Sequence, residues 1–180
     1  MRVVIDLVRG FGLLCAGALF AVPRPAEAFD VSGGVSVGGM MAGAVPHFAV
    51  TPHLALSWRF ESGFSLGVQD LCSILPPRSK LGIGVSNELA ASIGYAGEKV
   101  SFGLGPSLGI YSMPACGAEY CGRIVGLSPG GHAEAAYYVA GIFGIMIHAE
   151  GGWIGGRSLV VPDGFAAMVV AGPILRWRSE

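Results

Sequence analysis

Charge is what this 180-residue sequence has least of: Asp, Glu, Lys and Arg together make up 13%, against the ~25% usual in soluble chains. With 52% apolar residues, that scarcity excludes a disordered chain, which needs high charge and low hydrophobicity. A formal net charge of −1 excludes a basic nucleic-acid binder. Long hydrophobic runs are missing too. Beyond residue 28 none approaches the ~18 residues of a membrane-spanning helix, so the mean hydropathy of +0.61 is carried some other way. What the chain does have is glycine, 30 residues, at least twice the ~7% average share.

The first segment reads as an export leader. Met1–Ala28 carries Arg2 and Arg9, then the apolar stretch Phe11–Val22, and ends in Ala26-Glu27-Ala28, a small-x-small cleavage pattern. The expected organisation is a cleaved signal peptide over 1–28 and one domain over 29–180. Cys15 lies in the leader, and Gly12-Leu13-Leu14 lacks the small residue that a lipoprotein signal places just before its cysteine.

In the remaining chain the hydropathy has period two. Over Val100–Tyr111 one face is Val100, Phe102, Leu104, Pro106, Leu108 and Ile110, and the other is Ser101, Gly103, Gly105, Ser107, Gly109 and Tyr111. That is a strand between two unlike environments. The same alternation runs through Phe29–Met41, His47–Phe60 and Leu81–Tyr95. A shorter, mixed version covers Phe64–Leu71, and Gly131–Val139, Phe143–Trp153 and Phe165–Trp177 bring the set to eight strands. Several run ten residues or more, longer than the 5–6 usual in soluble sheets and matched to the ~9–11 of a tilted membrane strand. Their non-apolar face is Gly, Ser and Ala, which suits the crowded inside of a narrow barrel. The expected fold is all-β: a closed, eight-stranded, antiparallel up-and-down transmembrane β-barrel with its large apolar side chains outside.

The connections alternate as such a barrel requires. Glu61–Gly63, Ala96–Lys99 and Ala140–Ile142 are tight, while Cys72–Lys80, Met113–Gly130 and Ile154–Gly164 are longer. Phe29, Trp58, Phe60, Phe64, Tyr95, Phe102, Phe143 and Trp177 share the apolar parity near the tight-turn end and read as an aromatic girdle. Phe48, Trp153 and Phe165 suit the opposite one.

With this architecture the chain resembles the small eight-stranded outer-membrane proteins of Gram-negative bacteria, of the OmpX, OmpA transmembrane-domain and opacity-protein type, over 29–180. The resemblance implies an outer-membrane location, contact with outer-membrane lipids and passage through the barrel-insertion machinery. It also implies a function among surface-structural proteins, adhesins and lipid A-modifying enzymes. Proteins of this type end on an aromatic residue; here Trp177 is followed by Arg178-Ser179-Glu180.

The inward parity collects His53, Arg59, Glu88, His132, Glu134, His148 and Glu150. A three-residue turn at Ala140–Ile142 would set Glu134 opposite His148 and His132 opposite Glu150, where opposite charges attract. The leading reading is a structural lumen network of Arg59, Glu88, His132, Glu134, His148 and Glu150, the guanidinium satisfying the glutamates. His132, Glu134, His148 and Glu150 are also residue types of acid–base catalysis and of zinc ligation, and a narrow polar conduit is the third reading. No cofactor and no metal is called for, and no nucleophile motif accompanies Ser128. Among the cysteines outside the leader, Cys116 and Cys121 suit a loop-stapling disulfide, which leaves Cys72 over. Gly82-Ile83-Gly84 and Gly103-Leu104-Gly105 lack the following helix of a phosphate loop. An eight-stranded lumen is about filled by side chains, so a structural or surface-interaction role without a large pore is expected. A lipid-modifying enzyme and a soluble secreted binding barrel are the alternatives.

Overall fold

The computed structural model describes residues 28–42, 45–77, 82–116, 121–154 and 164–179. Eight strands follow in chain order: β1 (Ala28–Ala42), β2 (Val45–Arg59), β3 (Phe64–Leu75), β4 (Gly84–Ala96), β5 (Val100–Cys116), β6 (Cys121–Tyr138), β7 (Phe143–Ile154) and β8 (Gly164–Arg178). Each pairs antiparallel with the next, and β8 pairs with β1, so the sheet closes into a barrel. The turns 60–63, 97–99 and 139–142 lie at one end with both chain ends; the other four connections lie at the opposite end. Residues 1–27 of the expected leader lie outside the described residues, and Ala28 opens β1.

Period two becomes inside and outside. Val35, Leu54, Ile93, Leu104, Ile147 and Val169 all stand exposed on the outer wall. On the opposite face of the strands Ser36, His53, Glu88, His148 and Val170 are buried in the lumen. At the turn end the aromatics form ring pairs: Phe29 with Trp58 at 5.5 Å, Phe60 with Phe64 at 5.5 Å, and Tyr95 stacked on Phe102 at 5.8 Å. Phe48, Trp153 and Phe165 are exposed toward the other end, and Trp153 and Phe165 are ladder partners.

Three boundaries differ from the expectation. β3 continues to Leu75, and β4 starts at Gly84 instead of Leu81. Most of the expected loop Met113–Gly130 is ladder, because β5 and β6 pair continuously from Val100↔Tyr137 to Cys116↔Cys121. Gly126, Ser128, Pro129, Gly130 and Gly131 are locally turn-forming residues. Long-range pairing overrides that preference, and Pro129 stands on the outer face opposite Leu108. The side chains of Cys116 and Cys121 are outside the described residues, and so is their expected disulfide; the ladder does make the two positions partners.

β3 also presents Asp70 to the outer wall, with Ile74 beyond it toward the loop end and Val68 toward the turn end. Asn87 on β4 faces the same way and donates Nδ2–H to Asp70 Oδ1 at 2.7 Å. Two polar groups on an apolar wall are tolerable when they satisfy one another. Asn87→Leu is expected to lower stability by about 1–3 kcal/mol, since it strips the carboxylate of its donor. The double change Asp70→Leu/Asn87→Leu is expected to restore or exceed the original stability. Urea unfolding in lipid vesicles checks both.

Candidate functional site

The lumen is layered. Toward the loop end an apolar cluster fills it, with Met40, Leu71, Leu75, Tyr111, Met168 and Val170 at its centre. Within that cluster Thr51 and Ser73 share a hydrogen bond of 2.9 Å, and Ser73 Oγ donates to Met168 Sδ at 3.3 Å. The next layer holds His53, Gln69, Glu88, His132, His148 and Glu150. A polar cavity of about 50 Å³ follows, lined by Ser57, Ser65, Ser92, Ser101 and Glu134 among others. Ala136, Tyr138, Met146 and Ile174 cluster at its base.

The floor is tied by Arg176 from β8. Its guanidinium donates to Gly141 O (3.1 Å), Gly97 O (2.9 Å) and Glu98 O, and lies 3.7 Å over the Tyr138 ring. Arg178 reaches both oxygens of Asp30, at 3.1 and 3.2 Å, and Gly97 O at 3.1 Å. Ser179 exchanges hydrogen bonds with the backbone of Phe29 and so closes the seam between β1 and β8.

The three-residue turn between β6 and β7 sets the ladder so that Glu134 pairs with His148 and His132 with Glu150. The side chains do not partner along that ladder. His148 reaches across the lumen, its Nε2 3.9 Å from Glu88 Oε2 on β4 and its Nδ1 3.4 Å from Gln69 Nε2 on β3. The His132 and His148 rings stack, 5.5 Å apart and 14° from parallel. Glu134 lies one layer lower, over the space left by its ladder partner Gly103. Arg59 does not join the glutamates: it lines an open pocket at the turn-end rim with Glu61 and Glu98. A strand-end residue cannot reach the middle of the barrel, and the guanidinium that does work inside is Arg176.

Comparison with solved structures finds this architecture in small membrane barrels. Neisserial surface protein A matches with a TM-score of 0.54 at 14% identity, over 84% of this chain and 99% of that one. The N-terminal β-barrel domain of Pseudomonas aeruginosa OprF matches at 0.52 and 12%, over 86% and 100%. Ail, the attachment invasion locus protein of Yersinia pestis, matches at 0.54 and 13%, over 83% and 98%. The fold is that of a small outer-membrane barrel. No family model and no curated sequence matches the chain.

In an outer-membrane barrel the short turns face the periplasm and the longer connections face outward. The apolar wall of this barrel faces lipid, its loop-end lumen is plugged by Met, Leu and Tyr, and its turn-end floor is latched by Arg176. His132 and His148 are buried inside, at 5% and 0% exposure, behind the wall and away from lipid. Four residues that shape this barrel's interior were not singled out in the sequence: Gln69, Arg176, Arg178 and Tyr138. Inward parity marked Arg176 and Tyr138, whereas the mixed pattern of β3 hid Gln69 and Arg178 lies at a strand end.

Proposed function

We propose that this outer-membrane barrel has a structural and surface-interaction role and conducts no solute. The observation that carries the reading is the filled lumen: an apolar plug, a His/Glu/Gln layer and a latched floor lie in series along it. The interaction surface would be the outermost hairpin. β5 has 17 residues and β6 has 18, against the ~9–11 a tilted strand needs to cross the bilayer, so this hairpin stands clear of the membrane. Two of the similar structures are named as a Neisserial surface protein and an attachment invasion locus protein, which agrees with that assignment. Outer-membrane lipids and the barrel-insertion machinery are the partners such a chain would meet first.

The purified chain in a planar lipid bilayer is expected to show no stepwise conductance at moderate voltage. Steps of porin size, reproducible across insertions, would overturn the reading. Shortening the β5–β6 hairpin by equal numbers of residues from Ala115 and Gly122 inward should leave folding intact and remove whatever binding the intact cells show.

A further inference from the structure

We infer that the middle of the lumen is a divalent metal site built from Glu88, His148 and Glu150, with zinc or a similar late first-row ion as its occupant, where the sequence called for no metal. Each of the three residues offers one ligand atom, and those atoms all lie within 4.8 Å of one another. His148 is fully buried and Glu88 is 2% exposed. His148 Nε2, both Glu88 oxygens and Glu150 Oε2 have no hydrogen bond of full geometry, although the Ser107 hydroxyl lies beside Glu88.

Charge gives the reason. Among the described residues, His148 is the only basic group within 4.0 Å of either glutamate. A buried carboxylate beside a half-buried one needs a counter-charge, and a divalent cation between them supplies it. One imidazole and two carboxylates form a donor set that zinc accepts, with a fourth position left for water. A cavity of about 10 Å³ beside Glu150, lined by Ser86, Ser107 and Ser128, has room for one such water.

Gln69 supplies the outer support. Its amide faces His148 Nδ1, and its Oε1 has no partner. Amide oxygen and nitrogen are interchangeable on shape. With the oxygen turned toward Nδ1–H, Gln69 accepts from that ring N–H and the Nε2 lone pair is left toward the glutamates. That is how metal-bound histidines are usually oriented. Gln69 is therefore a positioning residue.

The test uses the full chain, extracted from membranes without chelator and folded in detergent. Metal analysis after dialysis is expected to find about one zinc per barrel. Cobalt should replace it with a visible spectrum of nitrogen and oxygen ligation. His148→Ala and the double change Glu88→Gln/Glu150→Gln should each weaken binding at least ~10-fold, and Gln69→Leu should weaken it less. The heat-dependent gel shift of each variant reports whether it is folded. Zinc content below about a tenth per barrel, or equal affinity in all folded variants, would sink the proposal and leave a hydrated polar plug. So would binding that disappears only when Cys72, Cys116 and Cys121 are changed to Ser. Should the lumen variants not fold, the cobalt spectrum of the unchanged chain decides. Nitrogen–oxygen bands support the site, and thiolate charge-transfer bands overturn it.

Discussion

Gly94→Ala is expected to remove most of the folded barrel, read as loss of the fast-migrating unboiled form on a denaturing gel. Gly94 on β4 faces the lumen opposite Gly103 on β5. A Cβ there would overlap the Phe102 carbonyl oxygen and sit 2.8 Å from Gly103 Cα. Both obstacles are backbone held in the ladder, so no rotamer change relieves them. The cost is expected at or above the ~3 kcal/mol upper range for overpacking. Gly103→Ala is the matched control. Its Cβ would meet the Glu134 carboxylate at 2.9 Å and Ser92 Cβ at 3.1 Å, and the carboxylate can swing into the neighbouring cavity. A cost nearer ~1 kcal/mol is expected there. Equal effects at the two positions would show that general crowding of the lumen, and not the approach of adjacent strands, sets the demand for glycine. Gly38 repeats the Gly94 situation against the Val169 carbonyl, so the tight inward curl of the wall is paid out at several seams.

Arg176→Ala should cost about 3 kcal/mol, the upper end of the range for leaving a buried acceptor without its donor. Arg176 is 4% exposed. Gly97 and Glu98 belong to the β4–β5 turn and Gly141 to the β6–β7 turn, so one guanidinium from β8 holds two turns together. Truncation leaves the three carbonyls without that donor and ends the contact with the Tyr138 ring. Arg176→Lys keeps the charge but not the planar fork, and should recover only part of the loss. Arg178→Ala should cost a comparable amount, about 3 kcal/mol, because the Asp30 carboxylate it leaves without an ion-pair partner is only 3% exposed, although the Arg178 side chain itself is 22% exposed. The urea midpoint of tryptophan fluorescence, with the gel shift as a second probe, ranks the three. A loss for Arg176→Ala below about 1 kcal/mol would contradict the latch.

Much of this molecule was legible in the chain itself. Alternation in β1, β2, β4 and β5 determined which residues face lipid, because side-chain direction in a strand depends only on parity. The turn Ala140–Ile142 determined the β6–β7 register, because a three-residue connection leaves no freedom to slip. Strand length and the small inward residues were enough for a closed membrane barrel. β3 resisted this reading: Leu71 and Leu75 belong to the lumen and Asp70 to the outer wall, the reverse of what hydropathy suggests. The turn-like residues 126–131 hid the outer part of β6 for a related reason, since local preference yields to a long paired neighbour.

The partnerships inside the lumen were decided only by tertiary structure. Parity says that His148, Glu88 and Arg176 point inward, but not at what height or toward which wall. Height depends on strand tilt and on the stagger with which β8 meets β1, and both are properties of the closed sheet as a whole. Closure carries His148 across to Glu88 and Gln69, away from its ladder partner Glu134, and it brings Arg176 under two turns that are distant in the chain.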